Sequence, residues 1–278
     1  MTIREPVAHP FLKSVGGKTA LLPKILPHLP EKIRTYYEPF LGGGAVFFAL
    51  AAESRFERAV LGDANEEFVH AYVALACDVE GVIQALKKHV YEEKHYYAVR
   101  AQEPLKLATS ARAARLVYLN KTCFNGLWRV NKKGVFNVPF GRYANPTICD
   151  EENLRAVAAV FREKDVTLIS QDFAKTVEAA HSGDVAYFDP PYWPVSDTAN
   201  FTAYTAGGFS EEEQERLRNV AKKLITRGVH VVLSNSDTPL VRKLYTGFQI
   251  QEVRRSGRVN SVGGKRGSVG ELLIWGSK

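Results

Sequence analysis

The chain has 278 residues, 45% of them hydrophobic, so it can bury a sizeable core in one large or two moderate domains. Its net charge of +7 favours a polyanionic partner. Three widely spaced cysteines argue against a disulfide framework or a zinc site, and we expect no metal. No signal peptide or long apolar run is visible, so we expect a soluble cytoplasmic protein without a membrane partner.

The first chemical signal lies in residues 11–18, where Gly16 and Gly17 precede Lys18 and a helical pattern. Glycines let the backbone approach a ligand closely, and the Lys18 ammonium can reach a negative group. Taken alone, this stretch fits an ordinary glycine turn before a helix better than a binding site.

A second glycine loop, residues 42–44, follows a predicted strand that ends at Glu38 and leads into an apolar helix from Ala45. A strand, a glycine loop and a helix in this order bind nucleotide-like cofactors. About 20 residues further on, another predicted strand ends at Asp63, whose carboxylate can accept hydrogen bonds from ribose hydroxyls. The spacing does not distinguish a dinucleotide from S-adenosylmethionine.

From residue 65 to about residue 120 the apolar spacing predicts helices, for example over residues 79–88 and 111–119. This interruption of the strand–helix alternation predicts an inserted domain. The interruption ends in residues 120–143, where basic, aromatic and amide side chains alternate around a predicted hairpin turn at 131–134. Cations suit phosphates and exposed rings suit unstacked bases, so nucleic-acid binding is one interpretation. A solvated basic hairpin is the other.

The strand–helix pattern resumes with a strand at residues 166–170, followed by Asp172 and Phe173, an acid and a ring able to bind an adenine. A short apolar strand at 185–188 then leads into the motif around which the chain is organised. That motif is Asp189, Pro190, Pro191 and Tyr192.

The two prolines hold this motif out of a helix and leave the Pro190 carbonyl free to accept a hydrogen bond. Asp189, that carbonyl and the Tyr192 ring should therefore converge at a strand end, where open α/β sheets bind ligands. Two acceptors and a ring face suit a planar ring that bears an amino group. The acceptors free the lone pair of the amine to attack an electrophilic methyl group.

The remaining chain predicts further strands and helices and one long basic loop. The pattern predicts a capped helix from residue 210, strands over 229–234, 247–254 and 270–276, a helix over 239–245, and a glycine-rich basic stretch over 255–267.

These motifs, in this order, resemble the Dam-type DNA adenine methyltransferases from Phe11 to Trp275. The motifs that carry the resemblance are residues 11–18, 38–44, 124–143, 189–192, 198–204 and 234–238. The resemblance implies an α/β fold, a Rossmann-like methyltransferase sheet with a final antiparallel hairpin. It also implies an inserted, mainly helical DNA-recognition domain carrying a β-hairpin. We place that domain at residues 64–150, with the catalytic domain in residues 1–63 and 151–278.

The resemblance implies that S-adenosylmethionine donates a methyl group to the 6-amino group of adenine in duplex DNA, within GATC and by base flipping. The implied catalytic residues are Asp189, Pro190, Pro191 and Tyr192. The implied cofactor contacts are Ser14, Lys18, Glu38, Phe40, Gly42, Asp63, Asp172, Phe173 and Asp189. The implied DNA contacts are Lys13, Phe124, Asn125, Leu127, Arg129, Pro139 and Tyr143. At position 14, relatives commonly carry tryptophan, so a stacking contact is missing or is supplied by Phe173.

Two alternatives stay open at this point: methylation of the 4-amino group of cytosine, and an inactive DNA-binding regulator. Methylation at a cytosine carbon requires a cysteine nucleophile, and no cysteine follows a proline at a predicted strand end. We expect a monomer in solution that is associated with the nucleoid when bound to DNA.

Overall fold

A mixed sheet lies at the centre of the computed structural model, which describes residues 6–14, 16–194, 209–254 and 270–278. Its strands are β1 (Ile33–Glu38), β2 (Phe56–Asp63), β3 (Asp165–Ser170), β4 (Val185–Phe188), β5 (His230–Ser236), β6 (Gln249–Arg254) and β7 (Gly270–Gly276). They lie in the order β3-β2-β1-β4-β5-β7-β6. The first five strands in this order, β3, β2, β1, β4 and β5, run parallel. Strand β7 pairs antiparallel with β5 and β6. The predicted α/β sheet with its final hairpin is confirmed.

Helices connect most of these strands. Within the described residues they are α1 (Leu22–Ile25), α2 (Ala45–Ala52), α3 (Glu66–Leu86), α4 (Glu93–Ala101), α5 (Thr109–Thr122), α6 (Glu151–Glu163), α7 (Phe173–Thr176), α8 (Glu211–Thr226) and α9 (Pro239–Leu244). The predicted cap of α8 is present, because the Ser210 side chain accepts the Glu213 amide. The predicted stretches 198–204 and 255–267 lie outside the described residues.

The sheet separates two apolar cores, because successive side chains of a strand point to opposite faces. On β1, Tyr36 belongs to the core formed with α2, α3, α5 and α6, whereas Tyr37 belongs to the core formed with α7, α8 and α9. On β4, Tyr187 and Phe188 divide between the two cores in the same way. The central parallel strands are therefore buried on both faces, which explains their nearly continuous apolar sequences.

The helices between β2 and β3 agree with the predicted helical segment. The side chain of Asn65 caps the start of α3 by accepting the Glu67 amide, and α3 packs on α5 and α6. By length and composition alone, α3 could cross a membrane, and 44% of its most apolar window is buried here. Packed core helices pass the same test, so the absence of a membrane partner stays a prediction.

The predicted hairpin turn is present, but its arms are not continuous strands. The Gly134 amide donates to the Asn131 carbonyl at 2.9 Å, and the arms are joined by isolated bridges between Val130 and Phe136 and between Cys123 and Phe140. Asn125 has a φ of 55°, which takes the chain out of extended geometry between these bridges. The domain boundaries at residues 63 and 150 stay a prediction.

Candidate active site and nucleic-acid interface

The carboxylate of Asp189 follows the last residue of β4 and is held by two donors. Lys18 Nζ lies 2.7 Å from Asp189 Oδ1, and Ser234 Oγ donates to the same oxygen at 2.9 Å. Lys18 is nearly buried, with 4% of its side chain exposed, so this ion pair is shielded from water. Within the described residues Asp189 Oδ2 accepts no hydrogen bond, which leaves it available to a ligand.

The prolines place a second acceptor and a ring next to this carboxylate. The carbonyl of Pro191 accepts Gln214 Nε2 at 3.2 Å, whereas the Pro190 carbonyl accepts no hydrogen bond from the described residues. The Tyr192 hydroxyl donates to Glu271 Oε2 at 2.9 Å. Lys18 Nζ lies 4.7 Å from the centroid of the Tyr192 ring. The structure thus brings the predicted catalytic residues together with Lys18.

Residues at the C-terminal end of β5 hold the chain that follows this motif through hydrogen bonds. The Trp193 amide donates to Asn235 Oδ1 at 3.3 Å, and Ser236 Oγ donates to the Trp193 carbonyl at 2.7 Å. Asn235 Nδ2 in turn donates to Gln214 Oε1 at 3.0 Å. Together with Ser234, these contacts fix the turn after β4. The side chains of β5 that make them are buried, and buried polar groups require hydrogen-bond partners of this kind.

Glu38, at the end of β1, is a buried acid facing the same region. Its Oε2 accepts the Tyr36 hydroxyl at 2.8 Å and the Phe47 amide at 3.1 Å. Burial raises the pKa of Glu38 to about 8, although these two hydrogen bonds lower it. The nearby Asp189 carboxylate also raises it. This raised pKa favours the protonated form of Glu38 at neutral pH.

Asp63 ties the end of β2 to the glycine loop. Its Oδ2 accepts the Gly42 amide at 2.9 Å and its Oδ1 accepts the Asn65 amide at 2.8 Å. Burial raises the pKa of Asp63 to about 6 despite these bonds. Gly42 and Gly44 have φ values of 47° and 68°, which side chains rarely adopt, so the loop depends on glycine at these positions. Ser14 lies against this loop.

The predicted adenine contacts form an aromatic cluster. The rings of Phe40 and Phe173 lie 5.3 Å apart, and Phe209 packs against both. The carboxylate of Asp172, however, is not free, because it forms an ion pair with Arg216. Sequence reasoning did not find Arg216, since nothing in the local pattern of α8 distinguishes it from a solvated arginine.

The predicted DNA contacts lie around the segment from Cys123 to Tyr143. Phe124 is 46% exposed at a turn where its amide donates to the Pro139 carbonyl, and Asn125 follows it with positive φ. Leu127, by contrast, is partly buried against the core. Pro139 is exposed on the returning arm.

Arg129 is held by a residue that the sequence reasoning missed. Arg129 Nε donates to Asn137 Oδ1 at 2.8 Å, and the Asn137 amide donates to the Arg129 carbonyl at 3.0 Å. The terminal nitrogens of the guanidinium have no partner among the described residues. At the end of the segment, Lys13 Nζ lies 3.9 Å from the centroid of the Tyr143 ring. The structure therefore gathers Lys13 and Tyr143 in one place and leaves the Arg129 fork free.

Comparison with known proteins identifies the family of the chain. Residues 14–257 match the family described as D12 class N6 adenine-specific DNA methyltransferase. The chain is 41% identical to the type II methyltransferase M1.LlaDCHI of Lactococcus lactis subsp. cremoris, over 95% of this chain and 94% of that protein. It is 40% identical to the type II methyltransferase M.MjaIII of Methanocaldococcus jannaschii, over 95% and 98%.

A DNA adenine methylase of Escherichia coli is 36% identical over 95% of this chain and 93% of that protein. A DNA adenine methylase of Vibrio cholerae is 38% identical over 95% and 94%. The family match extends across both glycine loops, the predicted recognition segment (residues 123–143) and the Asp189 motif. They confirm the predicted enzyme class: the chain belongs to the D12 class of N6 adenine-specific DNA methyltransferases.

Proposed function

We propose that this enzyme transfers a methyl group from S-adenosylmethionine to the 6-amino group of adenine within GATC in duplex DNA, after flipping the base out of the helix. The observation that carries the proposal is a pair of acceptors, Asp189 Oδ2 and the Pro190 carbonyl, that accept no hydrogen bond from any described residue and lie next to Tyr192 in the motif. A planar ring with an amino group has the shape and the two N–H donors that this set requires. We propose that the enzyme acts as a monomer.

The residues along β1 and β2 fit the proposed methyl donor. Its ribose hydroxyls would donate to Asp63, and the positive φ values of Gly42 and Gly44 bring the loop backbone close enough for contact. Glu38 is a buried acid that would gain a partner in the ammonium of the methionine part. The adenine of S-adenosylmethionine would lie beside Phe40 and Phe173. When bound, the donor would supply an electrophilic methyl group on a positively charged sulfur, and the sulfur would keep the electron pair of the broken S–C bond as a neutral thioether.

The chain itself holds and activates the amine. Lys18 and Ser234 fix Asp189 Oδ1, so Oδ2 is presented in one orientation. Oδ2 and the Pro190 carbonyl each accept one N–H, which draws the amine toward a tetrahedral form with its lone pair free. The Tyr192 ring stacks on the base, and its hydroxyl bond to Glu271 fixes the plane of that ring. The proton released by the methylated amine leaves through Asp189 Oδ2.

The recognition segment supports duplex DNA as the substrate. Phe124 is a large exposed ring at a tight turn, suited to enter the gap left by a flipped base. The free fork of Arg129 can bond both acceptors of a guanine edge. The site GATC itself follows from the resemblance of residues 124–143 to the Dam-type recognition hairpin. It is consistent with the relatives that are named DNA adenine methylases.

The test is methyl transfer from labelled S-adenosylmethionine to a duplex with one GATC site, with a matched duplex in which the site is scrambled to GTAC. We expect label in 6-methyladenine, and only from the GATC duplex. Label in 4-methylcytosine would support cytosine methylation instead. DNA binding without any transfer would support an inactive regulator, and equal transfer to both duplexes would remove GATC as the site.

A further inference from the structure

Two buried asparagines hold the backbone of the N-terminal segment. Asn120, on α5, accepts the Lys13 amide at 2.7 Å and donates Nδ2 to the Lys13 carbonyl at 2.9 Å. Asn153, on α6, accepts the His9 amide at 2.9 Å and donates to the His9 carbonyl at 3.0 Å. Each side-chain amide thus pairs with one residue as a neighbouring strand would. The two asparagines are 0% and 4% exposed, so neither can exchange these bonds for water.

The residue held by Asn120 contacts the recognition segment directly. Gly126 has a φ of 63°, and a Cβ at this position would lie 2.6 Å from Lys13 Cβ, so the two residues are in close contact. Lys13 Nζ donates to the Lys121 carbonyl at 2.9 Å while lying over the Tyr143 ring. Asn120 Nδ2 also reaches the Gly126 carbonyl, at 3.5 Å. The Lys13 side chain therefore belongs to the proposed DNA interface.

The neighbours of Lys13 face the other way, toward the proposed cofactor loop. A Cβ on Gly43 would lie 3.3 Å from the Leu12 carbonyl oxygen, and one on Gly42 would lie 4.0 Å from Ser14 Oγ. The chain then continues to Lys18, which pairs with Asp189. One short segment thus contacts both proposed binding sites, and Asn120 holds it at the residue between them.

We propose that Asn120 is a positioning residue that couples the reading of DNA by Lys13 to the placement of the cofactor loop and Lys18. This inference rests on the proposed function of those residues. It adds a residue, Asn120, that contacts neither DNA nor the cofactor. Removing the amide leaves a buried N–H and a buried carbonyl of Lys13 unpaired. Lys13 then shifts relative to Gly126, and Ser14 shifts relative to the glycine loop. Asn153 makes the same contact with His9, four residues before Lys13 and outside the proposed DNA and cofactor contacts, so we expect it to contribute to stability alone.

The experiment compares Asn120→Asp with Asn153→Asp in the full chain. Aspartate can still accept the backbone amide but repels the carbonyl, so each variant loses one bond of its pair. Two quantities are measured: the ratio of methylation rates on the GATC duplex and on duplexes substituted at each base pair, and the dissociation constant of S-adenosylmethionine. We expect Asn120→Asp to lower the ratio at one base pair by roughly tenfold and to weaken cofactor binding by several fold.

Asn153→Asp is expected to lower the melting temperature while changing both quantities by less than about twofold. Unchanged values in Asn120→Asp, or equal changes in both variants, would overturn the proposal. If Asn120→Asp does not fold, Asn120→Ser removes the pair without adding a charge, and failure of both while the Asn153 variants fold would also overturn it. A wild-type protein without methyl transfer would refute the proposed function, and cofactor binding alone would then decide the role of Asn120.

Discussion

The guanidinium of Arg216 forms an ion pair with the carboxylate of Asp172 and lies 4.5 Å from the centroid of the Phe173 ring. Asp172 and Phe173 are the two residues that the sequence predicts as contacts for an adenine. Burial alone would raise the pKa of Asp172, but hydrogen bonds from Arg216 and the Ala174 amide lower it, so the carboxylate is ionised and engaged. Arg216 also donates to Glu213 at 2.9 Å, which offers it a second partner. An adenine that uses Asp172 therefore competes with Arg216 for this carboxylate.

The first prediction follows from this competition: Arg216→Ala should tighten the binding of S-adenosylmethionine. A half-exposed ion pair of this kind contributes about 0.2–1 kcal/mol, so we expect a change of about 1.4- to fivefold. Calorimetric titration of the cofactor measures it. Arg227→Ala, near the other end of α8, is the matched control and should leave the affinity unchanged. Weaker binding by Arg216→Ala would show that Arg216 contacts the cofactor instead of competing with it.

The second prediction concerns Glu38 and pH. The folded protein keeps the Glu38 proton up to about pH 8, whereas an unfolded chain releases it near the ordinary carboxylate value. The folded state thus binds more protons between these values, so stability falls as pH rises through that window. Glu38→Gln cannot titrate and can still accept from Tyr36 and Phe47. Its melting temperature relative to wild type should therefore rise steadily from pH 5 to pH 8.

Thermal unfolding of both proteins at pH 5, 6, 7, 8 and 9 checks this expectation. Groups distant from Glu38 titrate alike in the two proteins, so the difference reports Glu38 together with the groups coupled to it, such as Asp189. A difference that stays constant with pH would show that Glu38 is already ionised in the folded protein.

Local sequence predicted much of this site, because each motif is contiguous. The strand before Asp189, the turn made by its two prolines, and the strand ending at Asp63 all followed from spacing and backbone chemistry. The partners of these residues did not, because they come from distant parts of the chain. Ser234 lies 45 residues from Asp189, and Glu271 lies 79 residues from Tyr192. Their positions depend on the order of β4, β5 and β7 in the sheet, which a local pattern does not contain.

The predicted recognition hairpin is a second case in which the local sequence pattern did not determine the structure. Its turn was found because Asn131 and Gly134 have the backbone preferences of turn residues. The alternation of basic residues with aromatic and amide residues along its arms predicts strands. The positive φ of Asn125 and the tight turn around it replace that ladder with isolated bridges. An alternating pattern shows which side chains are buried. Here the pattern arises because side chains of the two arms are buried against α3 and α4, although the arms are not strands.

The third prediction concerns specificity. Arg129→Ala should lose about 1–3 kcal/mol of discrimination at one guanine and little elsewhere, because a guanidinium fork reads both acceptors of that base. Asn137→Ala should reduce the same discrimination by a smaller factor, since it releases Arg129 Nε without removing the fork. Methylation rates on duplexes substituted at each base pair measure both effects. If all duplexes slow by one factor, Arg129 binds phosphate and does not read a base.

The fourth prediction concerns phosphate contacts. Lys132 and Lys133 are exposed at the hairpin turn, so removing either should reduce the slope of log affinity against log salt by about 0.9. Lys121, in the same basic stretch of sequence, is partly buried, and burial together with Lys13 lowers its pKa. Lys121→Ala should therefore leave the slope nearly unchanged. Equal slopes for all three variants would contradict this division.

The central claim is that Asp189 accepts the amine that receives the methyl group. The most direct measurement is single-turnover methyl transfer from S-adenosylmethionine to a GATC duplex, with DNA affinity determined in parallel. Asp189→Ala removes one placed acceptor at the reacting atom, which costs about 3 kcal/mol or more in the barrier. Asp165→Ala, an exposed aspartate at the start of β3, is the control and should keep the wild-type rate.

We predict that Asp189→Ala slows transfer by roughly a hundredfold or more while DNA affinity stays within about threefold of wild type. A variant that binds DNA and retains a rate close to wild type would contradict the role of Asp189 and, with it, the proposed mechanism.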